Sequence, residues 1–248
     1  MARFFFAIWY WPIFFVLTIL AGFVCLIVSL FSKKATRYIS SHVWAAIVLT
    51  PAAIKIKVEG QENLPAKGGF IIFANHRSLL DIPTVAKATG RSISWVAKAA
   101  LGQIPVFGWV LKRVHMLVDR GGGADAAKKM LIEASARLAA GEVMAIFPEG
   151  TRNKSEIPIL PLKKGAFILA KHTGVPLVPL TIYNSGALWP TGSYLPHSGQ
   201  IKAHIGPPLE IEPRESLANI TEKASQTLTD LYLGLQKELP EKTNSPDI

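Results

Sequence analysis

The chain has 248 residues, enough for one large core or a core plus an appendage, and 50% of them are hydrophobic, with a mean hydropathy of +0.30. Lys and Arg number 27 against 17 Asp and Glu, a formal charge of +10 that suits a phosphate polymer or an anionic membrane as partner. The single cysteine, Cys25, excludes an internal disulfide and a structural zinc site built on thiolates.

From Phe4 to Phe31 no residue is charged, and as a helix this run extends about 42 Å, long enough to span a bilayer. A cleavable signal peptide fits poorly: the apolar region is too long, only Arg3 precedes it, and "SLFSKKA" is a poor cleavage site. Trp9, Tyr10 and Trp11 suit an interfacial belt near one end. Lys33, Lys34 and Arg37 mark the other end as the cytoplasmic flank, which places the rest of the chain in the cytosol beside the inner membrane. Pro12 and Gly22 leave open a kinked or re-entrant path instead of one straight span. Next, Lys33, Lys34, Arg37, Lys55 and Lys57 are interleaved with Tyr38, Ile39, Val43, Trp44, Ile47 and Val48 at helix-like spacing. The pattern reads as a second helix lying on an anionic bilayer, with a core-facing helix and a solvated basic rim as the alternative.

After Pro51, short β-rich runs ("IKIKVEG", "GFIIFAN", "SISWVAK", "HMLVDR", "VMAIFPEG", "VPLVPLTIY", "IKAHIG") alternate with helical segments. That predicts one α/β domain with a largely buried sheet. The clearest helix runs from Ala124 to Ala140, with Ala127, Met130, Leu131, Ala134 and Leu138 on one stripe and Gly141 as the stop. The expected organisation is an anchor over 1–52, a catalytic domain over 53–239 and a flexible tail over 240–248.

"NHRSLLD", residues 75–81, places His76 five positions before Asp81, roughly 140° apart on a regular helix, so the two side chains meet only if the backbone between them is a loop. A strand ending near Asn75 and a helix starting near Asp81, with Pro83 in its first turn, supply that loop. Asp81 alone could equally cap a helix, directly or as partner to Ser78 in a capping box. No G-x-S-x-G elbow occurs, and Cys25 lies in the apolar run, so the chain offers a base without a nucleophile. An imidazole oriented by a carboxylate can deprotonate a hydroxyl of the substrate instead. "FPEGTR", residues 147–152, and "VDRGGG", residues 118–123, each follow a strand with an arginine, Arg152 and Arg120, able to clamp a phosphate. His76 and Asp81 with the other histidines form no metal-ligand spacing.

In order and approximate spacing, "NHRSLLD", "VDR", "FPEGTR" and "VPLVPL" resemble the four blocks of the glycerolipid acyltransferase family, over about Ala53 to Pro208. "HMLVDR" departs from the family's more usual aromatic or isoleucine before Asp119. The resemblance implies a single mixed, largely buried sheet flanked by helices, preceded by a two-helix membrane anchor. It implies His76 as general base and Asp81 as its orienting partner, Arg120 and Arg152 on the acceptor's phosphate with Lys98 assisting, and Glu149 positioning the glycerol hydroxyls. Gly150 and Thr151 would lend backbone N–H groups to the oxyanion, and Val175–Leu180 would lie on the donor side or serve only as a core strand. The implied reaction moves a fatty acyl group from acyl-coenzyme A or acyl-carrier protein to the sn-2 hydroxyl of lysophosphatidate. It needs no cofactor beyond that thioester, and the implied partners are anionic lipid and no nucleic acid. Another lysolipid acceptor, such as a lyso-ornithine lipid, and a non-catalytic membrane-binding module remain the alternatives.

Overall fold

A computed structural model describes residues 2–118, 123–212 and 214–238. The expected tail and Arg120 lie outside them. In chain order the elements are α1 (Ala2–Val28), α2 (Lys33–Leu49), β1 (Ile54–Glu59), β2 (Phe70–Ala74), α3 (Asp81–Thr89), β3 (Ile93–Lys98), α4 (Phe107–Val114) and β4 (Met116–Val118). Then follow α5 (Gly123–Ala139), β5 (Val143–Ile146), α6 (Gly165–Thr173), β6 (Leu177–Tyr183), α7 (Ser185–Leu188), β7 (Gly199–Ile205) and α8 (Leu217–Glu238), with single 3₁₀ turns after β1 and β3.

Seven strands form one mixed sheet in the order β1-β7-β6-β2-β5-β3-β4. Its five-strand centre and right side, β6 to β4, is parallel, and β7 meets β6 antiparallel. Strands β2 and β6 are buried throughout, because helices cover both faces. Alternation along β2 divides the core in two. Phe70, Ile72 and Ala74 join a cluster with Ala45 and Leu49 of α2 and Val85 and Ala88 of α3. Ile71 and Phe73 face Ala134 and Leu138 of α5, Phe167 of α6 and Leu228 of α8. Every strand read from the sequence is present, and the helix expected over 124–140 is α5.

The apolar N-terminal run is one helix, with Pro12 inside it. Its Ile8–Val28 portion is long and apolar enough to cross a membrane, and only 6% of its most apolar stretch is buried. It docks through a few residues: Cys25 packs with Val110 and Val114 of α4, and Trp11 and Phe14 lie against the first core cluster. Gly22 is required at this joint, since a Cβ there would meet Cγ1 of Val106 at 2.5 Å.

Helix α2 differs from the bilayer-surface expectation. Its apolar stripe, Ala45, Val48 and Leu49, belongs to the α/β core, and Arg37 is 6% exposed and paired with Glu142 at 2.9 Å. The core thus runs across the expected boundary at residue 52. Beside this pair His115 is buried, and burial together with Arg37 and Arg137 drives its imidazole down to about 3. The neutral ring accepts the Trp95 N–H at Nδ1 (3.3 Å), which leaves the proton on Nε2 next to Ser40 Oγ at 3.4 Å. A buried polar network therefore fastens α2 to β3 and to the turn before β5.

Candidate active site

The carboxyl ends of the parallel strands lie along one edge of the sheet, the usual place for a ligand in such folds. Strand β2 delivers His76 there, β5 delivers residues 147–152, and β3 delivers Lys98. At the end of β2 the fully buried Asn75 continues the ladder with its side chain: Nδ2 donates to the Ile182 carbonyl (2.8 Å) and Oδ1 accepts the Ile182 N–H (2.7 Å). The chain then leaves the sheet as a turn over residues 76–80.

Asp81 organises that turn. Its Oδ2 accepts from His76 Nδ1 at 2.7 Å, from the Arg77 N–H at 2.6 Å and from the Ser78 N–H at 2.7 Å. It is the first residue of α3, whose N-cap is Leu80 with no side-chain bond, so Asp81 is not a simple cap; of a capping box only the half from the Ser78 N–H to the Asp81 carboxylate is formed, the Ser78 Oγ accepting the Leu80 N–H instead. Because a carboxylate only accepts, Nδ1 carries the hydrogen and Nε2 presents a lone pair, the tautomer a general base needs. The ring lies flat on Phe147, centroids 4.1 Å apart and planes within 12°, and Trp95 continues the stack at 6.0 Å. The His76 side chain keeps 15% of its surface exposed.

The backbone of His76 is held as firmly as its ring. Its N–H donates to Glu149 Oε1 at 2.6 Å, and its carbonyl accepts the Asn153 N–H at 2.6 Å. Glu149 Oε2 accepts the Leu160 N–H at 3.0 Å, and the residue is 3% exposed. Both carboxyl oxygens therefore join loops, a structural task beside the one that the resemblance implies for Glu149 at the glycerol hydroxyls. Burial pushes this carboxyl up to about 7, while its bonds from His76 and Leu160 pull it the other way. A folded-state value raised above the usual 4.5 means that its contribution to stability is full below pH 4.5 and fades as pH rises through 7.

Glu149→Gln replaces one accepting oxygen with a donor facing an N–H. We expect kcat to fall about 10²-fold through displacement of His76, with the acceptor KM little changed and the stability profile between pH 4.5 and 7 flattened. A rise confined to acceptor KM, measured in the same assay, would return Glu149 to the glycerol.

Gly150 adopts φ +72 and closes a turn by donating its N–H to the Phe147 carbonyl at 3.0 Å. That N–H is engaged within the turn, and Thr151 beside it is exposed. The Lys163 side chain crosses this glycine, its Nζ 2.7 Å from where a Cβ would be, and its N–H donates to the Pro148 carbonyl. Arg152 is half-buried and lines a cleft with Leu79. Lys98 is exposed at the end of β3. Val175 and Pro176 lead into the fully buried β6, so Leu177–Leu180 serve as core strand.

Two residues with no assigned part emerge as organisers. Arg77 donates to the carbonyls of Ser155 (2.6 Å), Ile157 (3.1 Å) and Pro158 (3.2 Å) and lies 5.5 Å from the centre of the Tyr232 ring. Asn153 turns the same segment through its bond to the Ile157 carbonyl. Only the placing of Arg77 inside "NHRSLLD" and of Asn153 directly after "FPEGTR" could have signalled them. Ser78 is fully buried, donating to the Trp189 carbonyl at 2.8 Å and accepting the Leu80 N–H, which leaves it a structural hydroxyl and no nucleophile. Among the described residues no group of three or more His, Cys, Asp or Glu side chains is placed to hold a metal ion.

This arrangement sits inside a match to the Acyltransferase family model over residues 55–183. The chain belongs to the acyltransferase family. Among similar family members, the 1-acyl-sn-glycerol-3-phosphate acyltransferase of Bacillus subtilis is 33% identical over 71% of this chain and 87% of its own length. That of Pseudomonas aeruginosa is 30% identical over 76% and 74%. The chloroplast enzyme BAT2 of Brassica napus is 32% identical over 71% of this chain, which spans about half of that longer protein, 51%. In fold, the chain is similar to the crystal structure of the 1-acyl-sn-glycerophosphate (LPA) acyltransferase PlsC from Thermotoga maritima, with a TM-score of 0.78 and 23% identity over 95% of this chain and 97% of that one.

Proposed function

We propose that this acyltransferase is a 1-acyl-sn-glycerol-3-phosphate acyltransferase, carrying a fatty acyl group from an acyl-coenzyme A or acyl-carrier-protein thioester to the sn-2 hydroxyl of lysophosphatidate. The observation that carries this reading is a histidine anchored at its N–H, its carbonyl, its Nδ1 and its ring face, so that of its polar atoms Nε2 is the one left to act as a base. The similarity to proteins named for this activity supports it.

In the proposed reaction Nε2 takes the hydroxyl proton as the acceptor oxygen attacks the thioester carbonyl. Asp81 steadies the resulting imidazolium. The tetrahedral intermediate collapses, the C–S bond breaks, and the imidazolium returns the proton to the departing thiolate, giving phosphatidate and free thiol. No cofactor beyond the thioester enters. Helix α1 would hold the protein in the inner membrane with the α/β body on its cytosolic side, where acceptor and product reside.

The test is a lysolipid panel, including lyso-ornithine lipid, presented in liposomes to the full-length protein with an acyl thioester and read by mass-spectrometric identification of products. Phosphatidate formed from lysophosphatidate well ahead of the other acceptors is the expected result; a preference for a lysolipid without a phosphomonoester would replace this acceptor. Within the same assay Arg152→Ala should raise the acceptor's apparent KM by roughly 10-fold or more, the loss of a charge-assisted contact, and leave the donor KM in place. Arg152→Lys should restore part of the affinity, because an ammonium does not reproduce the planar fork. A raised donor KM with an unchanged acceptor KM would move Arg152 to the thioester side.

A further inference from the structure

The buried network around His115 has no part in the proposed reaction, yet it ends on the ring stack that carries His76. The ladder between β3 and β4 starts at Val96 and Met116, so the Trp95 N–H lies one residue outside it. His115 Nδ1 accepts that N–H in place of a strand, which satisfies a buried backbone donor. The Trp95 indole is held separately: its Nε1–H donates to Ser41 Oγ of α2 at 3.4 Å. From α5, Arg137 donates to Ser94 Oγ (3.1 Å) and to the carbonyls of Val114 (3.2 Å) and His115 (3.3 Å), fixing the residue before Trp95 and the backbone that carries the accepting imidazole. Trp95 is therefore gripped at its backbone and at its side chain, by groups from three different elements.

This grip bears on the catalytic imidazole through one intervening ring. The Trp95 indole belongs to the first core cluster and lies within 21° of the plane of Phe147, an offset stack. Phe147 packs against the same cluster and lies flat on His76. Asp81 holds the imidazole at one edge only, through Nδ1. A ring tied at one edge can still rock about that bond, and contact over its face removes this freedom. Phe147 supplies the face, and it does so only while its own ring is kept from sliding. A general base must aim its lone pair at the hydroxyl, so a small tilt of the ring is costly. The face of Phe147 also favours the imidazolium that forms on it.

We propose that Trp95, set in place by His115 and Ser41, is a positioning residue for the reaction, acting through Phe147 to fix the plane in which His76 presents Nε2 to the acceptor hydroxyl. The inference rests on the reading of His76 as general base. It gives α2 a share in catalysis besides its share of the core, and gives the neutral His115 a task as an acceptor.

Full-length wild type, Trp95→Leu, Trp95→Phe, His115→Leu and His115→Asn are compared in liposomes, each with and without His76→Ala, by measuring kcat, the KM for each substrate and thermal unfolding. Trp95→Leu should lower kcat roughly 10²-fold, the scale of a misplaced catalytic group, and leave each KM within about twofold. Trp95→Phe, which keeps an aromatic ring against Phe147, should recover most of that loss. His115→Leu should lower kcat about 10-fold, and His115→Asn, whose amide oxygen stands near the place of Nδ1, should restore it. In the His76→Ala background Trp95→Leu should leave the residual turnover within about twofold, because residues acting as a unit are non-additive. Should Trp95→Leu fail to fold, the His115 pair decides alone. An unchanged kcat in Trp95→Leu or His115→Leu, an equal loss in the His76→Ala background, a change confined to KM, or failure of asparagine to restore turnover overturns the proposal and leaves the enzyme's function intact. Full turnover by His76→Ala with Trp95 in place overturns the general-base reading and this inference together.

Discussion

His76→Ala should reduce kcat by roughly 10²- to 10⁴-fold, the usual contribution of a positioned general base, with lysophosphatidate and thioester binding retained. The expectation follows from what the side chain does. Its Nδ1 and ring face are committed to Asp81 and Phe147, and Nε2 is left for the substrate. Removing the ring leaves the backbone bonds to Glu149 and Asn153 available, so the loops should keep their places. Thermal unfolding near the wild-type temperature with turnover lost is the combination to look for. Loss of both would mean the ring is chiefly a packing element on Phe147.

Asp81→Asn should approach the same loss of turnover, by another route. The side chain is fully buried, and a single oxygen, Oδ2, gathers three N–H donors. An asparagine oxygen can still accept from the turn, but it no longer supplies the charge that stabilises the imidazolium. Its amide would occupy the place of Oδ1, which is buried without a partner, so two new donors would be left unsatisfied. This variant should therefore also lose about 1–3 kcal/mol of stability, the cost of an unmade buried hydrogen bond. The double variant should turn over hardly more slowly than the worse single one, because the pair acts as a unit. Near-normal activity in Asp81→Asn would show that the carboxylate only shapes the turn.

How far the sequence was legible depends on how local the governing physics is. The strands were readable because each is a short β-branched or apolar run between turn residues; for His76 and Asp81 the five-position spacing showed only that they could meet across a loop and not along a helix, and the resemblance supplied their pairing. Helix α2 was harder. An apolar stripe with a basic rim is the same pattern whether the stripe meets lipid or protein, and only the partnering of Arg37 with Glu142, far along the chain, decides for protein. Glu149 was hidden for a similar reason: its partners, His76 and Leu160, lie 73 and 11 residues away, and which carboxyl oxygen meets which N–H is a property of folded loops. The resemblance pointed to this segment and not to the loop-joining bonds that the residue makes there.

The central claim is that the acceptor's own hydroxyl attacks the thioester, with no acyl group passing through the protein. The most direct measurement is thiol release from acyl-coenzyme A by stoichiometric wild-type protein in liposomes without any lysolipid, followed by intact-protein mass spectrometry. The account predicts no burst of thiol and no mass increase until lysophosphatidate is added, whereupon thiol and phosphatidate appear in equal amounts. A stoichiometric burst in its absence, with one acyl group retained on the protein at Ser78 or elsewhere, would contradict it.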